Sequence, residues 1–176
     1  MRRHHWLIGM IAASALIAGG LLSWQWQTGS QHQTGTGFAS FPAQLVMPDL
    51  DDQPQAFTQW RGRLVLINFW ATWCPPCREE IPLFMALRNN YGAQGFEVVG
   101  IAIDDNEKVR DYRDELFIDY PLLQGERQTV QLMQTLGNRM GVLPYSVLFG
   151  RDGKMLGTKN GAFEHDELER LIREHL

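Results

Sequence analysis

Cysteine is nearly absent from this 176-residue chain, which has only Cys74 and Cys77. No disulfide framework can staple the fold, and no four-thiolate zinc site can be assembled. Paired histidine ligands are lacking too: His4, His5, His32, His165 and His175 show no metal-ligand spacing. There is no excess of positive charge, since 16 Lys and Arg face 20 Asp and Glu for a net −4, which argues against a phosphate backbone as the main partner. No internal repeat occurs. With 44% apolar and 20% charged residues, the collagen-like, coiled-coil and disordered classes fall away. What remains is one medium domain with an appendage.

The appendage is apolar. Trp6 to Trp24 carries no charge and follows Arg2 and Arg3, and its 19 residues fall within the roughly 17 to 25 that a bilayer-spanning helix requires. The arginines mark the cytoplasmic end, and from Ser23 to Trp60 there is no Lys or Arg. Residues 1–24 therefore read as a signal-anchor, a single transmembrane helix that leaves the remainder on the periplasmic or extracytoplasmic side. A cleaved signal peptide is the alternative, with Ala18 and Gly20 as small residues at a cleavage site, but the run exceeds the 7 to 15 apolar residues typical of one. Residues 25–40, QWQTGSQHQTGTGFAS, read as a flexible linker. The globular domain spans 41–176.

Within that domain Leu64 to Trp70, LVLINFW, reads as a buried strand running directly into ATWCPPC. Helical spacing of Ile81, Phe84, Met85 and Arg88 predicts a helix that begins at the cysteines, with a kink at Pro82. Phe96 to Ile103 reads as a second buried strand. Val109, Tyr112, Leu116 and Phe117 predict a second helix, and Val130, Met133 and Leu136 a third. Arg151-Asp152-Gly153-Lys154 between two apolar runs predicts a hairpin of Val147 to Phe149 with Met155 to Thr158. Leu168, Leu171, Ile172 and Leu176 close the chain as an amphipathic helix. The sum is an α/β class with a mixed central sheet flanked by helices.

The chemistry lies in Trp73-Cys74-Pro75-Pro76-Cys77. Two thiols three residues apart at a helix start can open and close a small disulfide ring. The helix N-terminus favours a thiolate at Cys74, and Pro75 suits the first helical position, where no N–H is needed. Cys77 is one turn in and more protected. Cys74 is expected to attack a substrate disulfide and Cys77 to resolve the mixed disulfide, with no other cofactor. A structural disulfide is a poor alternative, because so small a loop constrains an unfolded chain little.

Three stretches, LVLINFWATWCPPCREEIP (64–82), GFEVVGIAIDD (95–105) and GVLPYSVLFGRDGK (141–154), resemble the membrane-anchored thioredoxin-like disulfide reductases of bacteria, the TlpA, ResA and cytochrome c maturation group. The resemblance implies a thioredoxin fold with an additional N-terminal β-hairpin near Gln44 to Phe57 and a central insertion after the second strand. It identifies Cys74 as the attacking thiol, Cys77 as the resolving one, and Pro144 as the cis-proline facing them, with Leu143 offering backbone groups to substrate. Trp73, Pro75 and Pro76 complete the substrate-binding surface. Asp105 matches an acidic residue near the active site, with Asp104 adjacent. Asn68 stands where ordinary thioredoxins bury an aspartate, so the proton of Cys77 is assigned to Asp105 or water. Tyr145 reads equally as a groove residue or a core aromatic. The implied partners are disulfide-containing exported proteins, such as apocytochrome c, and a transmembrane thiol reductant as electron donor.

Other functions compete. A thiol oxidase of the same fold usually carries His between the cysteines, whereas Pro75-Pro76 stands here. A thiol peroxidase needs a threonine three residues before the nucleophile, where this chain has Ala71. A copper-binding chaperone needs a third ligand, for which His165 or a methionine is the candidate.

Overall fold

The structure is a computed structural model describing residues 40–125 and 127–176. The signal-anchor and nearly all of the linker lie outside the described residues. Among those described, no helix is long and apolar enough to cross a membrane.

A short antiparallel hairpin comes first, β1 (Val46–Pro48) with β2 (Pro54–Ala56), followed by a 3-10 turn at Phe57–Trp60. Then follow β3 (Leu64–Trp70), α1 (Pro75–Tyr91), β4 (Phe96–Ala102), α2 (Asn106–Leu116), β5 (Leu122–Gln124), α3 (Arg127–Thr135), β6 (Tyr145–Phe149), β7 (Met155–Asn160) and α4 (His165–His175). The main sheet has the order β5-β4-β3-β6-β7, with β3, β4 and β5 parallel and β6 and β7 antiparallel to their neighbours. This is a mixed sheet of the expected thioredoxin-like kind, with the hairpin before it and α2 and β5 following β4.

β3 is central because both its faces are apolar. Its even positions, Leu64, Leu66 and Trp70, pack with Ile81, Phe84 and Leu87 of α1 and Leu168 and Ile172 of α4. Its odd positions, Val65, Ile67 and Phe69, pack with Phe41, Met47 and Phe57 from the hairpin region and with Met133 and Leu136 at α3. The period of two thus divides one strand between two cores. Its C-terminal end delivers the chain into α1 at the edge between them.

Some expectations on elements change. The helix expected at the cysteines runs from Pro75 to Tyr91 with Pro82 inside it. Phe117, read as part of an apolar helix face, is 82% exposed: it terminates α2 in the left-handed conformation (φ 53°), which turns its side chain outward. Val130 also points to solvent, while neighbouring Thr129 is buried. β5 carries no strand signal in the sequence, because its three residues are too few for a period.

Candidate active site

α1 starts where the backbone leaves β3. Cys74 is the N-cap residue in extended conformation and Pro75 and Pro76 occupy the first helical positions, so the missing prolyl donors cost nothing. Cys74 and Cys77 are joined as a disulfide, with Cα atoms 5.3 Å apart. Cys77 is wholly buried and Cys74 nearly so, while Trp73 (66% exposed), Pro75 and Pro76 surround Cys74 on the surface. The Leu143–Pro144 peptide is cis. Pro144 is buried and its carbonyl accepts from Gly161 N–H, whereas Leu143 is half-buried and packs against both cores. The backbone of Val142 is clamped by buried Asn138, whose amide donates to its carbonyl at 2.8 Å and accepts from its N–H at 3.2 Å.

The two acidic residues after β4 do separate work. Asp104 accepts from both the backbone N–H and the hydroxyl of Thr72, pinning the turn before Cys74 to the end of β4. Partial burial acts to raise its pKa, but the bonds from Thr72 and the Asp105 N–H, with Lys108 nearby, prevail and hold it below the usual carboxylate range. Asp105, expected to receive the Cys77 proton, is instead exposed and caps α2, accepting from Glu107 N–H (3.0 Å) and Lys108 N–H (3.3 Å).

The buried acid is elsewhere. Glu80 sits three residues after Cys77, one turn along α1, and is only 2% exposed. Its Oε1 accepts from Asn68 Nδ2 at 2.7 Å and its Oε2 from Phe163 N–H at 3.2 Å. Burial pushes its pKa up to about 7 in spite of those donors. A second buried carboxylate, Glu97, makes the contrast plain. It is neutralised by two guanidinium groups, Arg63 at 3.2 Å and Arg88 at 2.5 Å. Among the described residues Glu80 has only neutral partners, so it can exchange a proton near neutrality where Glu97 serves as an anchor.

Glu80 is not among the candidate residues named from the sequence. The signal was present: on the 3.6-residue period it falls inside the stripe of Cys77, Ile81, Phe84 and Leu87 that faces the core. A carboxylate in such a stripe is buried by its neighbours. Tyr145 proves to be a core aromatic, 1% exposed, its hydroxyl donating to Leu136 O at 2.6 Å. Thr72, one residue late for a peroxidase pocket, spends its hydroxyl on Asp104. Among the described residues no group of three or more His, Cys, Asp or Glu gathers at metal-binding distance.

The Redoxin family model matches residues 29–172. The chain belongs to the Redoxin family. The thiol-disulfide oxidoreductase ResA of Oceanobacillus iheyensis is 26% identical over 144 residues, covering 81% of this chain and 73% of that relative. ResA of Geobacillus thermodenitrificans is 28% identical over 145 residues, covering 82% and 79%. A thiol:disulfide interchange protein of the thioredoxin family from Chlorobium tepidum superposes with a TM-score of 0.70 at 24% identity, over 80% of this chain and 99% of that one. With its Cys-x-x-Cys pair closed at a helix N-terminus, this Redoxin member is a thioredoxin-like protein-disulfide oxidoreductase of the ResA and TlpA kind.

Proposed function

We propose that the protein is an exported, membrane-tethered reductase of protein disulfides. The observation that carries this reading is the asymmetry of the pair: Cys74 lies among exposed Trp73, Pro75 and Pro76, while Cys77 is wholly buried one helical turn before buried Glu80. The Cys74 thiolate attacks one sulfur of a substrate disulfide, forming a mixed disulfide and releasing the first substrate thiolate. Cys77 then gives its proton to Glu80 and attacks Cys74 Sγ, releasing the second substrate thiolate and leaving the Cys74–Cys77 disulfide. Two electrons have passed to the substrate. A membrane thiol reductant restores the dithiol, which an extracytoplasmic reductase requires. Leu143 and Pro144 form the substrate-facing loop.

Direction is supported by Pro75-Pro76, which places no cation between the cysteines to stabilise a thiolate and so favours the disulfide over the dithiol. Location is supported by the uncharged run behind Arg2 and Arg3, on the cytoplasmic membrane with residues 41–176 outside. Exported proteins carrying disulfides are the substrates. The resemblance to cytochrome c maturation reductases supports apocytochrome c among them.

The test is a trapping experiment with Cys74→Ser and Cys77→Ser. Cys77→Ser is expected to accumulate a covalent complex with a disulfide-bearing substrate, and Cys74→Ser to form none. Trapping by Cys74→Ser alone reverses the two roles. A reduction potential near the strongly oxidising end of the thioredoxin-fold scale, about 150 mV above thioredoxin, would make the protein an oxidase instead.

A further inference from the structure

Asn68 is the odd member of the core. It lies in the middle of β3, wholly buried, on the face that otherwise presents Leu64, Leu66 and Trp70. Its two amide hydrogens go to Glu80 Oε1 at 2.7 Å and to Ser146 Oγ at 2.9 Å across the β3–β6 pair, where Asn68 stands opposite Ser146. Its Oδ1 is buried with no partner among the described residues. An unpaired buried carbonyl is destabilising, so an apolar residue would suit this strand better for stability alone. The amide donates in two directions and accepts in none.

From this geometry we infer that Asn68 is a positioning residue for the resolving step, its Nδ2 stabilising the ionised form of Glu80 and Ser146 holding the amide nitrogen toward that carboxylate. The inference rests on Glu80 as the acceptor of the Cys77 proton. A carboxylate buried without a cation is ionised only as far as neutral donors allow, and there are two, the Asn68 amide and the Phe163 N–H. Of these only Asn68 is a side chain. Ser146 is the second residue after Pro144, so the strand that follows the substrate-facing loop also fixes the donor to Glu80. The titratable groups around Glu80 are few. Cys77 shares its helix, Tyr120 before β5 acts on it from the same core, and β3, β6 and the segment at Phe163 contribute Asn68, Ser146 and a backbone N–H. Tyr120 is neutral through the physiological range because burial raises its pKa.

The test follows the rate at which Cys77 resolves a mixed disulfide between Cys74 and a peptide thiol, as a function of pH, in the full chain. Asn68→Leu removes the donor, disfavours ionised Glu80 and is expected to move the midpoint upward by about one pH unit, slowing the step about fivefold at pH 7 and leaving the limiting rate at high pH unchanged. Asn68→Ala serves as a second donor-free variant should the leucine side chain disturb the strand. In a Glu80→Gln background Asn68→Leu is expected to shift nothing further, which a role in folding alone does not predict. Midpoints for Asn68→Leu and Asn68→Ala that coincide with wild type, while Glu80→Gln alters the profile, overturn the inference and leave the reductase reading intact. A wild-type profile for Glu80→Gln itself removes Glu80 as the acceptor and overturns the inference, while resolution by Cys77 leaves the reductase reading standing.

Discussion

Glu80 and Glu97 show how the same residue type acquires opposite uses from its immediate surroundings. Both are almost fully buried, yet Glu97 meets Arg63 and Arg88 whereas Glu80 meets an amide and a backbone N–H. With its pKa pushed up from 4.5 to about 7, Glu80 affects stability in a defined window. Below pH 4.5 it is protonated in both folded and unfolded chains and contributes nothing. Between 4.5 and about 7 the unfolded chain ionises first, so stability falls as pH rises, by roughly 3 kcal/mol in all, and then levels off. Glu80→Gln is expected to abolish that fall. Guanidinium unfolding of both proteins at pH 5 and pH 8 checks it, and an equal decline in the variant would place the titrating group elsewhere.

At the scale of elements, the ends of β3 and β4 assemble the site and α2 is moored beside them. Asp104 and Asp105 are adjacent in sequence but diverge because β4 ends between the sheet and a helix start: one carboxylate turns inward to Thr72, the other closes the first turn of α2. Asp105→Ala is accordingly expected to cost about 1 kcal/mol of stability by loss of the cap and to leave the pH dependence of thiol alkylation unchanged. Alkylation curves that shift in this variant would return Asp105 to the redox site. Much of this level is legible in sequence. β3 and β4 are continuous apolar runs, the Asp152-Gly153 turn marks its hairpin, and the prolines beside the cysteines mark a helix start. Other features are not. Phe117 needs the chain reversal after α2 to explain its exposure, β5 is defined only by pairing with β4, and the partnership of Glu80 with Asn68 and Ser146 joins three elements that no local period connects.

For the whole molecule, the two cores on either side of one sheet belong to a folded unit that spans Phe38–Leu176. Its charge is acidic on balance, since the chain without Arg2 and Arg3 carries −6, so attraction to anionic lipid does not hold it at a membrane. None of its described helices is long and apolar enough to span a bilayer. On the proposed reading, attachment rests on the run Trp6 to Trp24, whose 19 uncharged residues are the length a spanning helix requires. The full chain is expected to stay in the membrane pellet through carbonate extraction, and a chain starting at Phe41 to appear in the supernatant with the same rate of disulfide reduction. That second rate tests where the chemistry lies: Cys74, Cys77, Glu80, Asn68 and Pro144 all belong to β3, α1 and the loop into β6. A soluble product of the full gene beginning near Leu21 would show instead that the leader is removed on export, and the reductase would then work free of the membrane with its chemistry unaltered.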